Sequence, residues 1–170
     1  VDRAGPTVNS INVTSPAAGT YKAGQTVTIV ATYNEAVYGT NAKAAVTAST
    51  APALTIKFGS GTTRTADFST TNATGKTITY TYTIQAGDNG AIATVGYSGT
   101  VYDTLGNSAS VSNKTIGGNA ITADTTGPTV TITANKTSPT NASSVTYTFT
   151  WNENLAAGTF TAADVTITNG

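Results

Sequence analysis

The 170-residue chain contains no cysteine and no histidine, and these absences exclude several classes of site. Without cysteine there is no disulfide framework and no thiolate metal site. Without histidine, the nucleophiles that rely on a histidine base are excluded, together with most zinc sites. Acid–base chemistry is limited to a few carboxylates, lysines and tyrosines. We therefore expect a protein that is not an enzyme.

Charged residues are also scarce. Eight acids balance eight bases and charged residues make up 9% of the chain, whereas about 25% is typical of globular domains. Nucleic acids and anionic membranes attract proteins through a basic field, so neither is expected as a partner. No apolar run approaches the ~18 residues of a membrane helix, so membrane insertion is not expected. This threonine-rich composition is typical of large secreted proteins of bacteria and archaea, and it predicts an extracellular or cell-surface location.

Alternation of apolar and polar residues with a period of two is the main pattern present. In KTITYTYTI, Ile78, Tyr80 and Tyr82 alternate with threonines, and QTVTIVATY and SVTYTFTW alternate in the same way. β-Branched and aromatic residues in this pattern favour half-buried strands. Turn motifs such as NATGK and DTLGN separate the runs, and no segment has a helical period with caps. The pattern predicts an all-β fold, with antiparallel strands arranged as a β-sandwich.

Seven strands are predicted in the first part of the chain. The Ala- and Thr-rich stretch at 37–52 is predicted to be either an irregular loop or an extra edge strand. The predicted strands, A to G, are 7–14, 25–33, 53–58, 63–70, 76–84, 91–102 and 108–122.

The chain also contains an internal repeat. The expected domains are therefore a complete repeat at 1–122 and the first part of a second, incomplete repeat at 123–170. Either the chain is cut, as its start at Val1 rather than methionine also indicates, or another copy completes the second unit by strand addition. The matching segments are VDRAGPTV (1–8) with ADTTGPTV (123–130), TSP (14–16) with TSP (137–139), and VTIVATYNEAV (27–37) with VTYTFTWNENL (145–155).

Five motifs occur in a fixed order: DTTGPTV, YKAGQTVTI, YNEAV, TYTYTIQAGDNG and VYDTLGNSAS. Their order and spacing resemble the bacterial immunoglobulin-like (Big-type) tandem repeats of large cell-surface, adhesin and S-layer-type proteins. The resemblance implies extracellular Greek-key sandwiches that act as stalks, lattices or adhesive arms. Their partners would be neighbouring repeats of the same chain, and other copies through lattice contacts. The 37–52 segment is longer and richer in alanine than this family pattern.

Immunoglobulin-like topology would gather acidic residues at the ends of the sandwich. The incoming linker and the turns after strands B and F meet at one pole. The second unit repeats the linker and the turn after strand B. Calcium takes six to eight oxygen ligands, so these carboxylates predict a Ca²⁺ site that stiffens the junctions. The alternative for the aspartate of DTLGN is that it only caps its own turn. The candidate ligands are Asp2, Glu35, Asp103, Asp124, Glu153 and Asp88.

The sequence also allows other functions. A carbohydrate- or partner-binding module, attached to a secreted enzyme or adhesin, would use the 37–52 loop and stacking on Tyr38, Tyr97 and Tyr102. A lysine–amide crosslink would use Lys57, which is more simply explained as an outward-facing edge residue. A glycosidase would need a carboxylate pair in a substrate cleft, and no sequence feature marks such a cleft.

Overall fold

A computed structural model describes residues 1–72, 74–138 and 140–168 of the chain. Within them every regular element is a β-strand except one short 3₁₀ turn, so the predicted all-β class is confirmed. No helix in this part of the chain is long and apolar enough to span a bilayer. Pro139, which ends the second TSP segment, lies outside the described residues.

The chain divides into two compact units, Val1–Thr126 (unit 1) and Gly127–Gly170 (unit 2). The boundary lies just beyond the predicted one because the residues that follow position 122 are still bonded to unit 1. Asp124 N donates a hydrogen bond to Tyr21 O at 2.9 Å.

Unit 1 contains the predicted strands with some subdivisions. Strands A to E correspond to β1, β3, β4, β5 and β6 as observed, and β2 is additional. Strand F is divided into β7 and β8, and strand G into β9, β10 and β11. The bounds are β1 Val8–Ser15, β2 Gly19–Tyr21, β3 Thr26–Tyr33, β4 Ala53–Phe58, β5 Arg64–Thr71, β6 Thr77–Thr83, β7 Gly90–Ser98, β8 Thr100–Tyr102, β9 Ser108–Ser110, β10 Ile116–Gly118 and β11 Ile121–Ala123.

The division of strand F has a local cause. Gly99 separates β7 from β8 and has a φ of 145°, a conformation that L side chains rarely adopt. A Cβ atom at this position would lie 2.9 Å from Pro52 Cα. The chain therefore changes partner here: β7 pairs with β4, whereas β8 pairs with β9 in a separate two-stranded sheet.

The main sheet of unit 1 is mixed, with the strand order β10-β1-β3-β6-β5-β4-β7-β11-β2. The expectation that all pairs are antiparallel is wrong for two of them, since β1 with β10 and β2 with β11 run parallel. Both ends of the sheet are thus built from the same two chain segments, 8–21 and 116–123. Asn119 holds the two segments together between the pairs, because its Nδ2 donates to Pro16 O at 2.7 Å and to Thr14 O at 3.3 Å.

The core follows the period-two pattern. Alternate residues of three strands are buried, and the threonines between them face outward. Each large apolar side chain fully removed from water stabilises the fold by about 1.5–3 kcal/mol. The buried residues of these strands are Val27, Ile29, Ala31 and Tyr33 in β3, Leu54, Ile56 and Phe58 in β4, and Ile78, Tyr80 and Tyr82 in β6.

Three buried tyrosine hydroxyls form a directed chain through this core. Tyr80 Oη donates to Pro52 O at 2.8 Å, since a carbonyl oxygen only accepts. Tyr97 Oη therefore donates to Tyr80 Oη at 3.1 Å, and Tyr33 Oη donates to Tyr97 Oη at 2.5 Å. Burial raises the pKa of Tyr33 to about 12, against a smaller lowering by its bond to Tyr97. Burial also raises the pKa of Tyr97, and the neighbouring tyrosines Tyr33 and Tyr80 raise it further.

The described residues of unit 2 contain one antiparallel pair, β12 (Val130–Ala134) and β13 (Tyr147–Trp151), and a 3₁₀ turn at Ala162–Asp164. Phe160 packs against this pair, with ring centroids 5.2 Å from Phe149 and 5.4 Å from Trp151.

Replacement of Tyr97 by phenylalanine tests the hydroxyl chain. The change leaves Tyr80 without its donor and Tyr33 without its acceptor, so we expect the free energy of unfolding to fall by about 1–3 kcal/mol. Urea denaturation measures this loss.

The same chain predicts a pH dependence, because the pKa of Tyr33 is raised from its ordinary 10.0 to about 12 in the fold. The contribution of Tyr33 to the free energy of unfolding should be complete below pH 10.0 and should be lost as pH rises through about 12.

The matched control is Tyr102→Phe, because the Tyr102 side chain is half-buried and its hydroxyl bonds to no described residue. We expect its loss to stay below about 0.5 kcal/mol. Equal losses in the two variants would show that the buried hydroxyl chain contributes nothing specific.

Candidate cation site at an acidic pole

The start of β1 and the end of β3 lie side by side because the two strands pair antiparallel. Thr7 N donates to Asn34 Oδ1 at 2.7 Å, and Asn34 N donates to Thr7 O at 3.1 Å. These two hydrogen bonds hold the segment that carries Asp2 next to the segment that carries Glu35.

The third segment of this pole is the turn between β8 and β9. Tyr38, which follows β3, exchanges two main-chain hydrogen bonds with Tyr102 at the end of β8, at 2.8 and 3.1 Å. Asn107 then links the turn to the start of the chain: its Nδ2 donates to Asp103 Oδ2 at 2.7 Å and to Asp2 O at 3.3 Å.

Asp2, Glu35 and Asp103 meet at this pole, as the sequence predicts. One carboxylate oxygen from each lies within 4.8 Å of the others. Oxygens that share one calcium ion at 2.3–2.6 Å lie up to about 5 Å apart, so this limit makes the three carboxylates candidate ligands of one ion. No lysine or arginine nitrogen of the described residues lies within 4.0 Å of these carboxylates. The three carboxylates form no salt bridge within the described residues, although Lys76 Nζ donates to Asn34 O, next to Glu35 along the chain.

Asp103 also caps its own turn, which was the alternative explanation for its position. Its Oδ1 accepts from Leu105 N at 2.7 Å and from Asn107 N at 2.8 Å. The side chain is 1% exposed. Burial alone would raise the pKa of Asp103, but the side-chain and main-chain donors of Asn107, with those of Leu105 and Gly106, outweigh it and hold the pKa below its usual value.

Capping of the turn and cation binding are compatible here. Asp103 Oδ2 has a single donor among the described residues, Asn107 Nδ2, and therefore keeps a lone pair. Asp2 accepts from Ala4 N through Oδ1 at 3.0 Å, and Glu35 accepts a long bond of 3.4 Å from Asn34 Nδ2 through Oε1. Asp2 Oδ2 and Glu35 Oε2 have no donor within the described residues. Each carboxylate thus has an oxygen that can bind a cation.

Asp88, another predicted ligand, has a different role. It is 1% exposed and pairs with Arg64, whose Nε donates to Oδ1 at 2.9 Å. Its Oδ2 accepts from Tyr82 Oη at 2.6 Å and from Gln85 N at 2.9 Å. Burial would raise the pKa of Asp88, but the donors Tyr82, Gln85 and Arg64 lower it below its usual value. The pairing with Arg64 was not predicted, because nothing in the sequence connects strand D with the turn after strand E.

Asp124 and Glu153 repeat the local positions of Asp2 and Glu35. Asp124 Oδ1 accepts from Thr126 N at 3.2 Å, as Asp2 Oδ1 accepts from Ala4 N. Glu153 follows β13 as Glu35 follows β3. The described residues hold no second group of three or more potential metal ligands.

Tyr97 is buried in the hydroxyl chain, so the prediction that it is an exposed stacking residue is wrong, while Tyr38 and Tyr102 are half-buried. Lys57 lies on β4, which pairs on both sides, so it is not an edge residue. The 37–52 segment is anchored by Val46, which is 5% exposed and belongs to the core.

No model of a known protein family matches the chain, and a search of curated proteins found no match either.

The pH dependence of stability tests the cap formed by Asp103. The pKa of Asp103 is below its usual value in the fold. Its charged form therefore stabilises the protein at pH values above the ordinary aspartate pKa of about 3.9, and this stabilisation is lost as pH falls through the lowered pKa. We expect Asp103→Asn to melt below the wild type at pH 7, and the difference to shrink toward pH 2. Calorimetry across this range, in EDTA, measures it. A difference that does not change with pH would contradict the charged cap.

Proposed function

We propose that the chain is a non-catalytic structural repeat of a large extracellular surface protein, of the kind that builds adhesin stalks, S-layers or extracellular filaments. The observation that carries the proposal is that unit 2 begins with the same hydrogen bonding as unit 1. Thr129 N donates to Asn152 Oδ1 at 2.6 Å and Asn152 N donates to Thr129 O at 3.1 Å, as between Thr7 and Asn34.

The first residue pair of each sheet supports the same conclusion. Val130 lies opposite Trp151, as Val8 lies opposite Tyr33, and the pairing differs only after the register shift that follows Val8 in β1. We infer that two segments of different sequence with the same first strand pair, side-chain bridge and entering aspartate turn are two copies of one module. Repeated modules in one chain are typical of linear arrays in which each unit contacts its neighbours.

The contacts within unit 1 support an immunoglobulin-like sandwich as the form of this module. Strands β1, β3, β6 and β5 are consecutive in the sheet, and so are β4, β7 and β11. Tyr33 of β3 bonds through its hydroxyl to Tyr97 of β7, although these strands are not neighbours. A side-chain contact between non-neighbouring strands requires the curled sheet to face itself across one core, as two packed layers do.

Calcium would add stiffness to such an array. An ion held by Asp2, Glu35 and Asp103 would link the segment before β1, the segment after β3 and the turn after β8. It would also neutralise three carboxylates that form no salt bridge within the described residues. A cation bound there resists bending of the incoming segment, which is useful in an extended extracellular rod.

Thermal unfolding with and without calcium tests this site. Extracellular calcium modules bind with dissociation constants of about 0.1–1 mM. At 10 mM Ca²⁺ we therefore expect the melting temperature of unit 1 to rise by about 5–10 °C over that in EDTA. Glu35→Gln should remove most of this rise. The control Asp67→Asn, an exposed acid on β5 outside the cluster, should keep it.

Magnesium at the same concentration distinguishes a specific site from screening of surface charge. An equal rise with Mg²⁺, or an unchanged midpoint with Ca²⁺, would exclude a calcium site at this pole.

Surface exposure of the parent protein tests the structural role more directly. Antibodies raised against the 170-residue chain should label intact cells that produce the protein, and brief protease treatment of those cells should remove the label. Labelling that requires permeabilised cells would contradict an extracellular function.

A further inference from the structure

One edge of β13 has no strand beside it in the part of the chain that the structure describes. β12 and β13 form a two-stranded sheet. Asn152 N donates to Thr129 O, so Asn152 and every second residue before it direct their main-chain groups toward β12. The N–H and C=O groups of Tyr147, Phe149 and Trp151 therefore point to the open edge.

The same pair of strands has an apolar face that is accessible to solvent. Ile132 is 54% exposed, Tyr147 is 50% exposed and Ile167 is 71% exposed. A groove of about 370 Å³ is lined by these residues together with Phe149 and Val165. An open edge next to an apolar face is the arrangement that accepts an added strand.

Unit 1 shows which strand fits this edge. Tyr33, the counterpart of Trp151, donates its N–H to Lys76 O at 2.9 Å. From there β6 continues along β3 in antiparallel register, with Ile78 opposite Ala31 and Tyr80 opposite Ile29. The inward residues of β6 are almost fully buried, and its threonines face outward.

Charge supports the same register. In unit 1, Lys76 precedes β6, and its Nζ donates to Asn34 O at 3.3 Å, beside Glu35. In unit 2, Glu153 occupies the position of Glu35, and none of the described lysine or arginine nitrogens lies within 4.0 Å of it. A strand that begins with lysine would place a positive charge near this carboxylate, beyond salt-bridge distance, as Lys76 is placed relative to Glu35.

We propose that the open edge of β13 binds a partner strand with the pattern of β6: a lysine followed by apolar residues that alternate with threonine, paired antiparallel and covering the groove. The position equivalent to Lys76 lies opposite Trp151, the position of Ile78 opposite Phe149, and that of Tyr80 opposite Tyr147. This inference rests on the proposed function only in treating the two units as copies of one module.

The test uses the whole chain and the peptide KTITYTYTI, which has the sequence of residues 76–84. Trp151 is the only tryptophan and lies on β13, so its fluorescence reports binding at this unit. We expect the emission to shift to shorter wavelength and to saturate at one peptide per chain. A peptide of the same composition without the alternation should not produce the shift.

N-methylation of the peptide tests the pairing itself. In β6 the main-chain groups of Ile78, Tyr80 and Tyr82 face β3, as the bond from Tyr33 N to Lys76 O determines. Methylation at the peptide positions of Ile78 and Tyr80 should weaken binding by at least about tenfold, since it removes two edge hydrogen bonds. The matched control, methylated at the positions of Thr79 and Thr81, should bind within about threefold of the parent peptide.

Three results would overturn the proposal: no spectral shift, equal weakening by the two methylation patterns, or dimers of the chain that form through β13 and that the peptide does not dissociate. Light scattering detects the third.

Glu153→Gln should weaken binding about threefold at low salt and have no effect in 1 M salt. If the peptide fails while antibody labelling and the calcium response hold, the strand site alone is wrong, and the structural role stands.

Discussion

The architecture of unit 1 depends on the parallel alignment of its first and last segments. Segment 8–21 contains β1 and β2, and segment 116–123 contains β10 and β11. The two segments run in the same direction, because β1 pairs parallel with β10 and β2 pairs parallel with β11. Each segment contributes to both ends of the sheet, so the sheet curls on itself and its inner face becomes a single core. Asn119 bonds to Pro16 at the point where each segment passes from one end of the sheet to the other. Without this alignment the open sheet would leave the apolar sides of β3, β4 and β6 in water.

The acidic pole is a consequence of the same connectivity. The segment before β1 must lie beside the segment after β3 because these strands pair, and the turn after β8 is brought there by Tyr38 and Tyr102. Asp103 serves the fold first, because its carboxylate satisfies the main-chain donors of its own turn. That use leaves one lone pair on Oδ2, and so a turn cap that lies near Asp2 and Glu35 also becomes a potential cation ligand.

Much of this structure could be predicted from sequence, and the failures have physical causes. Strands B and E were predicted because apolar and aromatic residues alternate there with threonine, and strands A, C and D because turn motifs separate the runs. Alternation identifies the buried face of a strand but not its partner or direction, so the two parallel pairs were missed. It also does not show where a strand changes partner: Gly99 and Asn119 interrupt runs that look continuous. The three acids at the pole were predicted from topology, whereas the pairing of Asp88 with Arg64 depends on a tertiary contact.

The parallel alignment has a mechanical consequence when the module is part of a chain under tension. The incoming chain joins at the start of segment 8–21, and the outgoing chain leaves at the end of segment 116–123. Force applied to these two points slides one segment along the other, so the bonds of the parallel pairs are loaded together and must break together. A pair loaded from one end would instead open one bond at a time. Resistance to stretching is therefore concentrated where the first and last strands meet, and the rupture rate of that seam determines how long a pulled unit stays folded.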